Sequence, residues 1–288
     1  MSYRRRASPL HAARAGAACG YCLALACAAL IASSPILVGA VTITVAGAML
    51  AAGLAQELRR AALLAFPVAL VIVLVNSLVA GRQGLTVIVR LGRLPLVGHT
   101  DITLESTAYG AVLGLRAAAL ILCGALYTAA VDPDKVLRLF RRVSFHSALT
   151  AAVATRMVPI LIRDARRLAD AQRCRRGRSP TRVTLMRAAS TGVLDRALDV
   201  AAALEVRGYG AARRPPRARE PYSRHDLGFA LSAALVLALA LLGRLAAVTP
   251  FRAYPTLHAP TGAGAIALAV AVIAGGLLAF ADRRGIEP

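Results

Sequence analysis

The chain has 288 residues, 58% of them hydrophobic, with a mean hydropathy of +0.62 and a formal net charge of +21. Several uncharged apolar runs come near the roughly 20 residues that cross a bilayer as a helix, so the composition excludes an ordinary soluble domain and predicts an all-α integral membrane protein. The charge excludes less, because 34 of the 35 basic residues are Arg and Lys135 is the one Lys, a bias that together with abundant Ala fits GC-rich coding as well as selected chemistry.

About six transmembrane helices are predicted. The first, near Ala17 to Ala32, follows Arg4 to Arg6 and has the outline of a signal peptide. A retained span fits better, since the next begins almost at once, near Ile36, and runs to about Leu54. Arg59 and Arg60 mark a cytoplasmic turn before the third span, about Ala61 to Ala80. Leu85 to Leu104 reads as an outer loop with a short interfacial piece around Val87 to Arg90. The fourth span, about Ser106 to Val131, carries Arg116, which must face protein or snorkel rather than meet lipid. A fifth span near Leu227 to Val248 and a sixth near Gly262 to Ala281 close the chain. Residues 1–130 are thus expected to hold helices one to four, 131–225 a cytoplasmic helical domain, and 226–288 helices five and six. This parity puts both termini and each dense Arg cluster on the cytoplasmic side of the cell membrane.

The inserted segment, Val131 to His225, holds 21 basic and 8 acidic residues, a net of +13 out of +21. Central Arg costs roughly 2.5 to 3.5 kcal/mol per residue on insertion scales, so this stretch belongs in water beside the membrane. Apolar Leu149, Val153, Met157, Leu161, Leu168 and Ala171 recur at helical spacing, with Arg163, Arg166, Asp170 and Arg173 opposite. Pro159 should kink or restart this helix. A second helix sets Leu194, Leu198, Ala201, Ala202 and Glu205 on one side and stops at Gly208. Each helix ends on Arg followed by Gly. The ordinary account of Arg-Gly is a C-cap with a solvated charge. The alternative is a blunt tip that projects a guanidinium into a partner's groove, and two copies in one amphipathic domain bring it level with the ordinary account.

Other chemistries lack their residues. Lys135 is preceded by Asp132-Pro133-Asp134 and followed by Val136, so no phosphate-cradling loop is present and the chain is not an ATPase. Nucleophile–base pairs and metal boxes are missing. Cys19 and Cys22 have redox spacing inside an apolar run, where thiols serve as small hydrophobes. His11, His99, His146, His225 and His258 are scattered, so no metal or cofactor site is expected. No nucleic acid is expected either, since aromatics for base stacking are nearly absent from the basic segment. Gly110 and Gly114 have the small-xxx-small spacing of close helix packing, and packing within the bundle is the favoured use.

At these residues the chain resembles the transmembrane T component of energy-coupling-factor (ECF) transporters, the CbiQ family. Ala171 and Gln172 leading to Cys174-Arg175-Arg176 are similar to the family's first Ala-Arg-Gly-like triplet, and Ala203-Leu204-Glu205 leading to Val206-Arg207-Gly208 to its second. Arg156 to Pro159, Gly114 to Arg116 and Asp132 to Asp134 add to the likeness, which is good over roughly Ala61 to Gly210. In the first triplet Cys174 replaces Ala and Gly177 stands one residue late, so Arg175 is the better match and Arg176 the reserve. The resemblance implies a non-catalytic scaffold of an ABC-type importer. Its partners would be two ATPase subunits, a membrane-embedded S component that binds cobalt, nickel or a vitamin, and the lipid bilayer. Ala171, Gln172, Cys174, Arg175, Arg176, Gly177, Glu205, Val206, Arg207 and Gly208 would form the contact with the ATPases. A stand-alone carrier or channel is the alternative.

Overall fold

The computed structural model describes residues 8–79, 87–94, 98–140, 145–174, 182–208, 223–245 and 262–282. In order come α1 (Pro9–Ala12), α2 (Ala15–Ile31), α3 (Pro35–Ala51), α4 (Ala55–Val79), β1 (Val87–Leu94), β2 (Gly98–Thr103), α5 (Leu104–Ala130), α6 (Pro133–Phe140), α7 (Phe145–Cys174), α8 (Arg182–Val206), α9 (Arg224–Leu245) and α10 (Ala263–Leu277), which runs into a 3-10 turn, Leu278–Phe280. Two compact units result: Met1–Val136 with Tyr222–Pro288, and Leu137–Pro221.

Among the described residues α4, α5, α9 and α10 with its 3-10 turn are long and apolar enough to cross a membrane, while α2 and α3 are apolar but only 17 residues long. Local chemistry sets the ends. Ser34 caps α3 and Pro35 opens it, as expected for a residue whose missing N–H falls among the helix's orphan donors. The second span stops at Ala51, short of the expected Leu54, because Gly53 takes φ +75°. There the N–H of Leu54 bonds the Met49 carbonyl at 2.8 Å and that of Gly53 the Leu50 carbonyl at 2.9 Å, a Schellman closure sealed by buried Leu54 and Met49. α4 can then start at Ala55, earlier than the expected Ala61.

The all-helical expectation needs one correction. The short piece expected around Val87 to Arg90 is a strand: β1 and β2 form an antiparallel hairpin with Val87 opposite Thr103 and Arg90 opposite Asp101. The β-branched Val87-Ile88-Val89 and Ile102-Thr103 suit extended pairing better than a helix.

Small residues bring the apolar helices together. A Cβ at Gly114 would lie 2.9 Å from the Ala69 carbonyl oxygen, and one at Gly110 3.2 Å from the Val73 backbone, so α5 packs on α4 through the expected glycine pair. On α10, Gly275 and Gly276 do the same against Leu235 of α9 and Thr44 of α3. The carbonyls exposed by that approach are used: Tyr21 Oη donates to Gly276 O at 2.7 Å and Ser232 Oγ to Gly275 O at 2.7 Å. Tyr21, Phe229 and Phe280 meet edge to face with centroids 5.2 to 6.2 Å apart, a geometry favoured by ring quadrupoles.

Asp226, which sequence reasoning did not single out, is 5% exposed and ties two helix starts together. It accepts from the backbone N–H of Arg14 at 2.6 Å and of Ser223 at 2.9 Å, with Arg14 Nε 3.4 Å away. A carboxylate is favoured there by the positive ends of both α2 and α9.

Candidate coupling surface

The unit Leu137–Pro221 contains α7 and α8. α7 runs through Pro159 without restarting, and Arg163 Nε donates to the Pro159 carbonyl at 3.3 Å. Only seven residues join Cys174 to Arg182, too few to carry the chain back along α7, so the two helices are antiparallel. Asp164 on α7 and Arg196 on α8 pair across them at 2.8 Å, with each side chain about 40% exposed. This contact too was not singled out from sequence, where the two charges lie 32 residues apart.

Between the helices lies an apolar hollow of about 330 Å³, lined by Val153, Met157 and Leu161 from α7 and by Val193, Val200 and Leu204 from α8. The α7 face is the one its periodicity predicts. The α8 face is not. Leu194 and Leu198, expected on one side with Ala201, Ala202 and Glu205, are 64% and 69% exposed, and Val193, Ala197, Val200 and Leu204 turn toward α7 instead. α8 is rich in Ala, which packs on any side, so two apolar stripes exist and the sequence pattern selects the more conspicuous one.

The predicted contact residues divide between the two helix ends. Ala171 and Cys174 are exposed at the C-terminal end of α7, and Gln172 lies in the same turn. Arg175, Arg176 and Gly177 lie outside the described residues. Glu205 and Val206 are exposed in the last turn of α8, Val206 to 90%, and Arg207 comes next, also exposed. Gly208 has φ +78°, and its N–H bonds the Glu205 carbonyl at 2.9 Å, which closes the helix by the left-handed turn expected of that glycine. The Arg207 side chain has no partner among the described residues.

The antiparallel arrangement sets the two ends apart rather than together. α8 has 25 residues, so its ends are separated by roughly 37 Å at 1.5 Å per residue. The Arg207 tip stands at one end of the pair and the Ala171–Cys174 turn at the other. Such a rod can touch two bodies at once, or two copies of one body, with a similar terminal turn.

Residues 6–217, well over half of the chain, match the family model described as cobalt transport protein, CbiQ. No curated protein matches the chain.

Proposed function

The chain belongs to the CbiQ family of cobalt transport proteins, the T components of ECF transporters, and from that membership we propose that it is the scaffold that couples ATP hydrolysis to uptake. It is a membrane transport component, and the family's cargo is cobalt; nickel or a vitamin would enter by the same architecture through a different S component. In this reading all six apolar helices cross the cell membrane, with both termini and the unit Leu137–Pro221 in the cytoplasm. Two ATPase subunits seat the helix ends, one on the turn bearing Ala171, Gln172, Cys174, Arg175, Arg176 and Gly177, the other on Glu205, Val206, Arg207 and Gly208. Closure of the ATPases on ATP moves the α7–α8 rod, and the membrane helices pass that motion to the S component.

The observation that carries this reading is the Arg207 tip. A guanidinium offers five donors in a planar fork suited to carboxylates and carbonyls, and this one finds no acceptor among the described residues of its own chain. Gly208 closes the helix with φ +78°, which leaves Arg207 at its tip. Affinity purification of the full chain from cells expressing its neighbouring transport genes tests it. Two nucleotide-binding subunits should copurify with the native chain and be lost with Arg207→Ala. A chain that purifies without them and still conducts its cargo would be a stand-alone carrier.

A further inference from the structure

Two arginines meet at the end of α2. Arg116 Nη2, from α5, donates to the carbonyl of Ala32 at 2.7 Å, and Arg244 Nη1, from the last turn of α9, donates to that of Ile31 at 3.3 Å. These are closing carbonyls of α2, where the aligned peptide dipoles leave about half a negative charge. Half a charge does not balance two cations. Among the described residues neither arginine has a carboxylate partner, and Arg116 Nε is buried without an acceptor.

Helix lengths place this pair relative to a bilayer. Arg116 lies twelve residues into α5, so α5 continues about 18 Å past it toward Leu104. α4 accompanies that stretch, with Ser77 bonded to Thr107 and the Gly110 contact below it. α2 and α3, by contrast, span about 26 Å each, short of the ~30 Å hydrocarbon core. A span this short draws the headgroups in toward its end. The level reached there is that of Arg116 and Arg244, beside the taller α4–α5 pair. Leucines exposed near this end of the same helices, Leu30 on α2 and Leu241 and Leu242 on α9, offer apolar surface just below.

We propose that Arg116 and Arg244 bind the phosphate of a glycerophospholipid whose acyl chains lie along these leucines. The diester's single negative charge offsets most of what α2 leaves unbalanced, and its oxygens match a guanidinium fork. The bound lipid seals the short helices where they do not reach the ordinary membrane surface.

The test is native mass spectrometry of the full-length chain purified with phosphatidylglycerol, which counts lipids retained as detergent is exchanged. Arg244→Gln should weaken retention about tenfold, as expected for loss of one charge-assisted contact. Arg60→Gln, at a solvated arginine paired with Glu57, should leave it unchanged. Arg244 is exposed, so its variant should keep the fold, and an unaltered thermal midpoint verifies that; Arg116→Gln adds to the effect where it folds. Equal retention by Arg244→Gln and the native chain would overturn the proposal. Displacement of the lipid by excess inorganic phosphate would overturn it as well, since the occupant would then be a free anion.

Discussion

Arg207→Ala separates a role in assembly from a role in folding, because the structure gives the side chain almost nothing to do within its own chain. It is exposed, has no side-chain partner among the described residues, and sits just past the last residue of α8. Its local contribution is the attraction of a cation to the carbonyl end of a helix, about 0.3 to 1 kcal/mol at an exposed site. The thermal midpoint of the purified chain should therefore barely move. Truncating one member of a desolvated charge pair in an interface instead costs about 2 to 5 kcal/mol, which is roughly a 30-fold to several-thousand-fold loss of affinity. Titration of the purified ATPase onto the full chain in nanodiscs reads that difference directly. Arg219→Ala, in the basic run beyond Gly210, serves as the charge-matched control and should change neither quantity. Equal losses from the two substitutions would mean diffuse electrostatic attraction rather than a seated arginine. No loss from Arg207→Ala would refute the reasoning altogether.

Further substitutions probe the packing. Gly114→Ala should lower the thermal midpoint in detergent, at a cost of about 1 to 3 kcal/mol for overpacking against the Ala69 backbone, whereas Gly124→Ala, with open space around it, should not. Asp226→Ala should destabilise by roughly 3 kcal/mol because it strands two backbone donors and Arg14, and Asp226→Asn, which keeps one acceptor oxygen, should cost less in the same melt. Tyr21→Phe keeps the aromatic cluster and loses one hydrogen bond to Gly276, so about 1 kcal/mol is expected. A double-mutant cycle on Asp164 and Arg196 should return a coupling below about 1 kcal/mol, since both side chains are well solvated.

The four long apolar helices, a protein partner for Arg116, packing within the bundle through Gly110 and Gly114, and the left-handed closure at Gly208 were legible in the sequence. Each has a local cause: a run of apolar residues, a charge that lipid rejects, or a residue without Cβ. What stayed hidden depends on partners distant in the chain or on near-degenerate local choices. Arg14 and Asp226 are 212 residues apart, and nothing local announces that two helix starts share one carboxylate. Arg244 falls inside the fifth span as read from sequence and was not singled out, because its contact with Ile31 joins residues 213 apart. The hairpin of β1 and β2 was missed because Leu85 to Leu104 reads as a loop with one short apolar piece, and only the paired strand decides. Which side of α8 meets α7 was not legible, because Ala permits several rotations about the helix axis.

The side of α8 left exposed bears on function. In the membrane unit, exposed leucines need no explanation, because lipid is their solvent. α8 carries a charge every few residues and on the proposed reading lies in water, yet Met186, Leu194, Leu198 and Val206 leave a stripe exposed. Successive positions fall four apart or in multiples of four, so the stripe drifts slowly around the helix and reaches the Arg207 tip. Turning Leu194 and Leu198 inward would close α8 on α7 and hide the strip. Val193, Val200 and Leu204 occupy that place instead, which leaves Leu194 and Leu198 exposed on the helix that ends at the arginine. On the proposed reading, the guanidinium sets the register of the joint and the leucines supply its adhesion.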